Sequence, residues 1–143
     1  IEDRMNGPGY AAPAIQTAIT GILKDLRLSG SELILAGFSQ GGMMSLHCGL
    51  RLNPPPAAIV SFSGALLRHD DLSASATTPY PPVQLVHGSD DQVVPCALMH
   101  EAARFLSSLG VEIETVERPG LGHGIDPDGL TASINFLAAH ITD

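Results

Sequence analysis

The chain has 143 residues, of which 44% are hydrophobic, and its formal net charge is −8 at pH 7. This length fits one domain over residues 1–143, and a domain of this size buries roughly two thirds of the surface of the unfolded chain. The negative charge is diffuse and no basic cluster accompanies it, so we expect no nucleic-acid partner. No apolar run approaches the length of a membrane-spanning helix, so we expect no stable membrane insertion.

The first half of the chain predicts two helices around one short strand. A helix is expected over residues 10–28, because apolar side chains recur there at helical spacing and Gly30 follows its end. A buried strand is expected over residues 32–36. It is followed by a helix over residues 41–52, which Pro54 ends.

The second half predicts three more strands and two more helices. The strands cover residues 57–62, 83–87 and 111–117, and the helices cover residues 96–109 and 127–140. Alternation of strands and helices favours a mostly parallel sheet with helices on its faces, and the apolar-polar alternation of the last strand places it near a sheet edge. The long polar stretch over residues 67–82 is typical of a functional or mobile loop.

A serine between two glycines joins the first predicted strand to the helix that follows, in the sequence Gly37-Phe38-Ser39-Gln40-Gly41. This arrangement is typical of a nucleophile elbow, in which strained backbone geometry exposes the seryl hydroxyl and the glycines avoid collisions with strand, helix or substrate. A phosphate-binding turn is the alternative. The chain has neither a G-x-G-x-x-G spacing nor a Gly-Lys-Ser/Thr at a helix start, so we interpret Ser39 as a nucleophile.

A seryl hydroxyl needs a base, and the base needs a carboxylate that orients it. His123 is the preferred base, because it follows the fourth strand and a glycine on either side lets its loop bend toward Ser39. Asp90 and Asp91 follow the third strand and compete as the acid, since spacing alone does not choose between them. Glu117 is a third and weaker candidate.

The other histidines are weaker candidates for the site. His87 ends the third strand and could line the site, although a residue in this place more often packs or hydrogen-bonds locally. The remaining ones outside the elbow helix are expected to be solvated: His69, His100 and His140.

Two cysteines, Cys48 and Cys96, fall inside predicted helices and form no C-x-x-C pair. We interpret them as buried thiols of a reduced, cytoplasmic protein. The six histidines show no H-E-x-x-H or Cys/His ligand spacing, so we expect no metal site and no cofactor.

Three segments together resemble the phospholipase/carboxylesterase family of α/β-hydrolases, which includes acyl-protein thioesterases. They begin at Gly37, His87 and Gly122, and read Gly-Phe-Ser-Gln-Gly-Gly, His-Gly-Ser-Asp-Asp-Gln-Val-Val-Pro and Gly-His-Gly, in the order of the family and at similar intervals. The resemblance extends over essentially the whole chain, and the joint pattern is far more specific than any single motif. It implies an α/β-hydrolase fold.

The resemblance also implies roles for individual residues. Ser39 would be the nucleophile, Asp91 the orienting acid and His123 the general base, with the backbone N–H of Gln40 in the oxyanion hole. The family's aspartate falls four residues after the histidine of the His-Gly motif, which selects Asp91 over Asp90. The implied reaction is hydrolysis of a small acyl ester or thioester through an acyl-enzyme.

Two alternatives stay open from the sequence. One is a different α/β-hydrolase chemistry, such as that of a peptidase, which nothing in residues 67–82 excludes. The other is a non-catalytic or inactive α/β-hydrolase fragment that acts only through association.

Residues 1–28 do not resemble the strands and the His-Gly-bearing loop that family members carry before the elbow. We therefore expect the chain to correspond to the carboxyl-terminal part of such a domain, without the N-terminal strands and without that loop's backbone donor to the oxyanion. The strand at residues 33–36 reads as a central strand, so the missing neighbour would leave an apolar edge unpaired. The partners expected there are the missing N-terminal portion or a second copy in a homo-oligomer.

Overall fold

The computed structural model describes residues 8–141, so residues 1–7 and 142–143 lie outside it, the first of these within the segment that does not resemble the family's upstream strands and loop. The helices of this part of the chain are α1 (Pro8–Leu26), α2 (Gln40–Gly49), α3 (Ala97–Ser108) and α4 (Pro127–His140). The strands are β1 (Ile34–Phe38), β2 (Ala58–Phe62), β3 (Val83–Gly88) and β4 (Ile113–Arg118). They form one sheet in the order β1-β2-β3-β4, and every neighbouring pair is parallel. All four carboxyl ends therefore meet at one edge of the sheet.

The helix and strand before the elbow are displaced from their predicted positions. α1 ends at Leu26 instead of residue 28, because Arg27 takes a left-handed backbone conformation with φ 57°. Gly30 does not serve as the helix end but begins a short 3₁₀ turn, Gly30–Glu32. A capping box closes this turn, in which the Ser29 N–H donates to Glu32 Oε2 at 2.7 Å. The turn includes Glu32, which was predicted as the first residue of the strand, and β1 runs two residues later than expected.

The other predicted elements are present, with boundaries that differ by up to three residues. α2 ends at Gly49 instead of residue 52, and the Arg51 guanidinium donates to the His47 carbonyl of the last turn at 2.7 Å. The bounds predicted for α4 match those of the structure. Those of the remaining elements shift by one or two residues.

The core lies on both faces of the two central strands, β2 and β3, which are buried along their whole length. On one face, α2 and α3 pack on the sheet through a cluster that includes Leu46, Ile59, Leu85, Met99 and Leu106. On the other face, α4 packs through Phe136 against Val60, Phe62 and Val86. Helices on both faces explain why these strands read as continuous apolar runs.

Gln84 is a polar side chain that lies inside this apolar sheet. It is fully buried in β3, where its Nε2 donates to Glu114 Oε1 at 2.7 Å and to the Ala132 carbonyl at 3.2 Å. Its Oε1 accepts a hydrogen bond of 2.6 Å from the Ser133 hydroxyl of α4. Because each polar atom has a partner, the amide ties β3, β4 and α4 together instead of destabilising the core.

The long segment predicted as a functional or mobile loop is anchored to the elbow helix. Arg51, just beyond α2, makes a two-pronged contact with the Asp71 carboxylate at 2.8 and 2.6 Å, and it donates to the Arg68 carbonyl at 2.6 Å. Leu67 and Leu72 of the same segment are buried. The loop is thus fixed at its start by an ion pair and by apolar contacts.

The unpaired apolar edge expected at the first strand is present among the described residues. β1 pairs only with β2, while β4 forms the opposite edge and shows the predicted half-exposed pattern. Nearby, α1 packs on α2 through Ala12, but its Ile22 and Leu26 are 58% and 62% exposed. The apolar face predicted for this helix is therefore only partly covered. None of the described helices is both long and apolar enough to span a bilayer.

Candidate active site

Ser39 forms the turn between β1 and α2. Its backbone has φ 55° and ψ −117°, so the strain predicted for the elbow is confirmed. The Ser39 N–H donates to the Phe62 carbonyl at the end of β2 at 2.8 Å, and the Ser39 carbonyl accepts from the Met43 N–H at 3.0 Å. These bonds hold the hydroxyl at the edge of the sheet where the strands end.

The glycines around Ser39 differ in what the backbone requires of them. A Cβ on Gly37 would lie 2.2 Å from the carbonyl carbon of Gly41, and a Cβ on Gly42 would lie 2.6 Å from Ser61 Oγ. A Cβ on Gly41 would meet nothing within 4 Å. The close approach of strand and helix therefore needs glycine at positions 37 and 42, whereas position 41 leaves open space in front of the helix.

His123 contacts both Ser39 and Asp91. Its Nε2 lies 3.0 Å from Ser39 Oγ, and its Nδ1 lies 2.7 Å from Asp91 Oδ2. Because an ionised carboxylate only accepts hydrogen bonds, Nδ1 carries the proton, and the unprotonated Nε2 accepts from the seryl hydroxyl. The structure thus brings the three predicted residues into one hydrogen-bonded chain.

Asp91 is the buried member of these three hydrogen-bonded residues, since its side chain is 0% exposed. Burial disfavours its charge, but the hydrogen bond from His123 and those from the Val94 and Val93 N–H groups outweigh burial and keep its pKa below the ordinary value. The two N–H groups donate to Oδ1 at 2.8 Å each, which leaves Oδ2 for the imidazole. The carboxylate is therefore held in its charged form and in a fixed orientation.

The two other acid candidates lie elsewhere. Asp90 is exposed and accepts a hydrogen bond of 2.8 Å from its neighbour, Ser89. Glu117 lies with His100, at 2.8 Å between Oε2 and Nε2. Among the three candidates, Asp91 is the one that contacts His123.

His87 contacts the carboxylate of Asp91 and the loop that follows it, and the sequence pattern did not identify these two partners. Its Nε2 lies 2.8 Å from the Val94 carbonyl and 3.3 Å from Asp91 Oδ2, and the residue is 2% exposed. Both neighbours are acceptors, so Nε2 carries the proton of this ring. The histidine of the His-Gly motif therefore fixes the loop that carries the acid, and it does not contact Ser39.

The loop of the acid and the loop of the base contact each other directly. A Cβ on Gly88 would lie 2.2 Å from the Leu121 carbonyl oxygen, so only glycine permits this approach. The Asp90 N–H donates to that carbonyl at 3.0 Å, and the Ser89 N–H donates to the Arg118 carbonyl at 3.0 Å. The distance between Asp91 and the histidine loop is thus set by the backbone.

The flexibility predicted for the glycines beside His123 is not what shapes this loop. Neither Gly122 nor Gly124 has a left-handed backbone conformation, and a Cβ on either would meet nothing within 4 Å. The bend is made at Gly120, which has φ 72°. Ser89 Oγ accepts from the Gly120 N–H at 2.8 Å and holds the bend in place.

Phe38 contacts the imidazole from the side of β1. The two ring centroids lie 4.8 Å apart with the planes tilted by 46°. As the residue before Ser39, Phe38 is part of the elbow motif, but a motif does not indicate which loop its side chain meets. It restrains the His123 ring, whose side chain is 19% exposed.

Gln40 begins α2, directly after Ser39. Its N–H belongs to the first turn of the helix, where backbone donors have no acceptor within the helix. The positive end of the helix dipole adds to the attraction for a negative oxygen at this place. The arrangement can therefore generate a nucleophilic oxygen next to a donor for an oxyanion.

Several residues outside the site differ from their predicted state. The His69 ring contacts the Phe105 ring in a tilted arrangement, with the centroids 4.4 Å apart, and His140 Nε2 lies 2.9 Å from Glu112 Oε1, so neither is simply solvated. Cys96 is the N-cap of α3 and is only partly buried, because the helix begins one residue later than predicted. The burial predicted for Cys48 is confirmed, since it is 1% exposed.

Comparison with known proteins identifies relatives that point to one family. A family model described as Phospholipase/Carboxylesterase matches residues 6–141. An acyl-protein thioesterase 1 of Gibberella zeae is 34% identical over 110 residues, which are 74% of this chain and 47% of that protein. A lysophospholipase-like protein 1 of Mus musculus is 32% identical over 111 residues, which are 75% of this chain and 44% of that protein. The chain spans about half the length of the curated relatives it matches.

Solved structures agree with the fold. The crystal structure of esterase PE8 superimposes with a TM-score of 0.90 at 36% identity, over 96% of this chain and 64% of that one. The Bacillus cereus carboxylesterase, at 11% identity, has a TM-score of 0.76 over 91% of this chain and 60% of that one, a likeness of fold alone. The predicted α/β-hydrolase fold is confirmed.

The two glycines that flank Ser39 at positions 37 and 41 provide a matched test of the elbow. Gly37→Ala forces a Cβ against the backbone of α2, and we expect a loss of about 1–3 kcal/mol in the free energy of unfolding, or more. Gly41→Ala places its methyl group in open space within a helix, and we expect a gain of about 0.5–1 kcal/mol. Urea unfolding followed by circular dichroism measures both. Equal midpoints for the two variants would contradict the close approach described for Gly37.

Proposed function

Because the chain belongs to the phospholipase/carboxylesterase family, we propose that it is a serine hydrolase that cleaves small carboxylic esters or thioesters through an acyl-enzyme. The observation that carries the proposal is the hydrogen-bonded chain from Ser39 Oγ through His123 to the buried carboxylate of Asp91. In this proposal Ser39 is the nucleophile, His123 the general base and Asp91 the orienting acid. Esterase and thioesterase relatives support the substrate class.

In the first half of the proposed reaction, Ser39 Oγ attacks the carbonyl carbon while His123 Nε2 accepts the hydroxyl proton. The C–O or C–S bond to the leaving group then breaks, and His123 gives the proton to the departing alcohol or thiol. In the second half, His123 takes a proton from water, the oxygen of that water attacks the acyl-enzyme, and Ser39 recovers its proton as the carboxylic acid leaves.

Asp91 contributes by orientation and by charge. Its Oδ2 fixes the ring so that Nε2 faces Ser39, and its lowered pKa keeps it ionised while His123 becomes positively charged. The pair therefore stabilises the imidazolium without transferring a proton to the carboxylate.

The backbone N–H of Gln40 is the proposed oxyanion donor. Loss of one such donor typically slows catalysis by a factor on the order of 100 to 1,000, equivalent to about 2.7–4 kcal/mol. Within the described residues this N–H is the donor that we assign, so we expect turnover by the chain alone to be weak.

We further propose that the open edge of β1 is covered in use, by a second copy of the chain or by further polypeptide of the longer family domain. Exposed apolar side chains support the proposal, since Phe38 of β1 is 40% exposed and Ile22 and Leu26 of α1 are more so. A long bare edge of this composition favours strand addition. With the chain alone in solution, a second copy is the available occupant.

A cytoplasmic location is proposed on the state of the thiols. Cys48 and Cys96 are both free, and Cys48 is buried in the contact between α1 and α2. Unpaired thiols are typical of a reducing compartment.

Hydrolysis of p-nitrophenyl acetate and butyrate tests the proposed activity. We expect Ser39→Ala to abolish the enzymatic rate and Asp91→Asn to lower kcat by up to about 10⁴-fold, toward that background, because the wrong imidazole tautomer is favoured. Asp90→Asn, in the same loop but exposed, is the matched control and should retain the wild-type rate. A wild-type rate no greater than that of Ser39→Ala would favour the alternative of a non-catalytic fragment that acts only through association. A peptide-bond substrate cleaved in preference to both esters would favour the peptidase reading.

Light scattering after size-exclusion chromatography tests the covered edge. We expect the chain to elute as a dimer and Ala36→Lys, on the exposed edge of β1, to shift it toward monomer, because a charged edge opposes strand pairing. Ile134→Lys, at an exposed apolar position of α4, is the control and should leave the dimer intact. A monomer at all concentrations, with the edge strand bare, would count against a second copy as the occupant.

A further inference from the structure

Three potential metal ligands converge outside the proposed active site. Cys96 and His100 stand four residues apart at the start of α3, so they lie on one side of the helix, and Glu117 lies opposite them near the end of β4. The thiol sulfur, an imidazole nitrogen and a carboxylate oxygen all lie within 4.8 Å of one another. The sequence spacing did not reveal this cluster, because its third member comes from another element.

The donor set is chemically specific. One thiolate, one imidazole and one carboxylate are the ligands of zinc-type sites, in which three protein groups leave a fourth position for water. Carboxylates alone would equally suit Ca²⁺ or Mg²⁺, but the thiol and the imidazole favour a softer ion. The cluster is therefore different in kind from a patch of surface acids.

The geometry is close to what such an ion needs. With Zn–S of about 2.3 Å and Zn–N or Zn–O of about 2.0–2.2 Å, tetrahedral ligand atoms stand roughly 3.3–3.6 Å apart. Side-chain movements of about 1 Å would bring the three ligand atoms to these separations. The distance of 2.8 Å between His100 Nε2 and Glu117 Oε2 would increase slightly. Both of these side chains are 46% exposed, so an ion reaches them from solvent without any opening of the fold.

The surrounding charge also favours a cation. Burial, followed by the nearby carboxylates of Glu117 and Asp91, raises the pKa of the Cys96 thiol. A dication neutralises this negative cluster on a protein whose formal net charge is −8.

We propose that Cys96, His100 and Glu117 bind Zn²⁺ or a similar borderline divalent ion. Cys96 follows the loop that carries Asp91, and Glu117 precedes the loop that carries His123, so the bound ion ties the outer ends of the two loops together. The metal site does not depend on the proposed hydrolase activity, since none of its three ligands is Ser39, His123 or Asp91.

Titration of the metal-free chain tests the site without any measurement of turnover. The chain is stripped with a chelator, then titrated with ZnCl₂ by isothermal calorimetry and with CoCl₂ by absorption spectroscopy. We expect one ion per chain, a rise in the thermal unfolding temperature with Zn²⁺, and a thiolate-to-cobalt charge-transfer band in the near ultraviolet.

Variants assign the ligands. Cys96→Ser keeps a favoured N-cap residue, so the helix should remain intact by circular dichroism, while the cobalt band disappears and the Kd for Zn²⁺ rises at least about tenfold. His100→Ala should also raise the Kd. The matched control is His140→Ala, which breaks a similar histidine-carboxylate pair with Glu112, at 2.9 Å, that has no thiol beside it. This variant should bind Zn²⁺ as the wild type does.

Three results would overturn the proposal. The wild-type chain could fail to bind Zn²⁺ at millimolar concentration. The cobalt band could persist in Cys96→Ser, which would assign the thiolate to Cys48. Zinc affinity could be unchanged in Cys96→Ser and lost in His123→Ala, which would place the ion at the proposed active site instead.

Discussion

The parallel pairing of β1, β2, β3 and β4 is the constraint on which the site depends, because it brings the carboxyl ends of all four strands to one edge. Ser39 follows β1, Asp91 follows β3 and His123 follows β4, so each residue leaves the sheet at the same level. The strand between them, β2, supplies the carbonyl of Phe62 that fixes the elbow. The parallel register of the sheet thus brings these three residues together although they are far apart in sequence, and each needs only a short loop to reach the others.

Within that frame, the precision of the site comes from backbone contacts more than from the three side chains. Gly37 lets β1 and α2 approach, and Gly88 lets the acid and base loops approach. Two backbone N–H groups and His87 fix the carboxylate of Asp91, and Phe38 restrains the imidazole. A side chain held by several neighbours is restricted to one geometry, and the activity proposed for this site needs such a fixed geometry.

Much of this could be predicted from the sequence, because the signals are local. The elbow, the two later loops and the alternation of strands and helices each depend on residue types at short spacing, and α4 was predicted with its observed bounds. What the sequence did not reveal depends on contacts between distant segments. The pairing of Gln84 with Ser133 and the grouping of Cys96 with Glu117 require the register of the sheet. His87 instead hydrogen-bonds within its own loop, which is the alternative that the sequence favoured. The sequence predicted the bend at Gly122 and Gly124, whereas the left-handed conformation lies at Gly120, because the presence of a glycine does not show whether the backbone uses such a conformation there.

The proposed hydrolase activity depends on the activation of Ser39 by His123. Covalent labelling by an alkyl fluorophosphonate measures that activation directly, since an activated seryl oxygen displaces fluoride from phosphorus and the adduct forms without a hydrolysis step. We predict a single adduct by intact mass, mapped by peptide sequencing to Ser39, and a labelling rate at least about 100-fold lower in His123→Ala. An adduct at another residue, or equal labelling rates with and without the His123 imidazole, would contradict the claim.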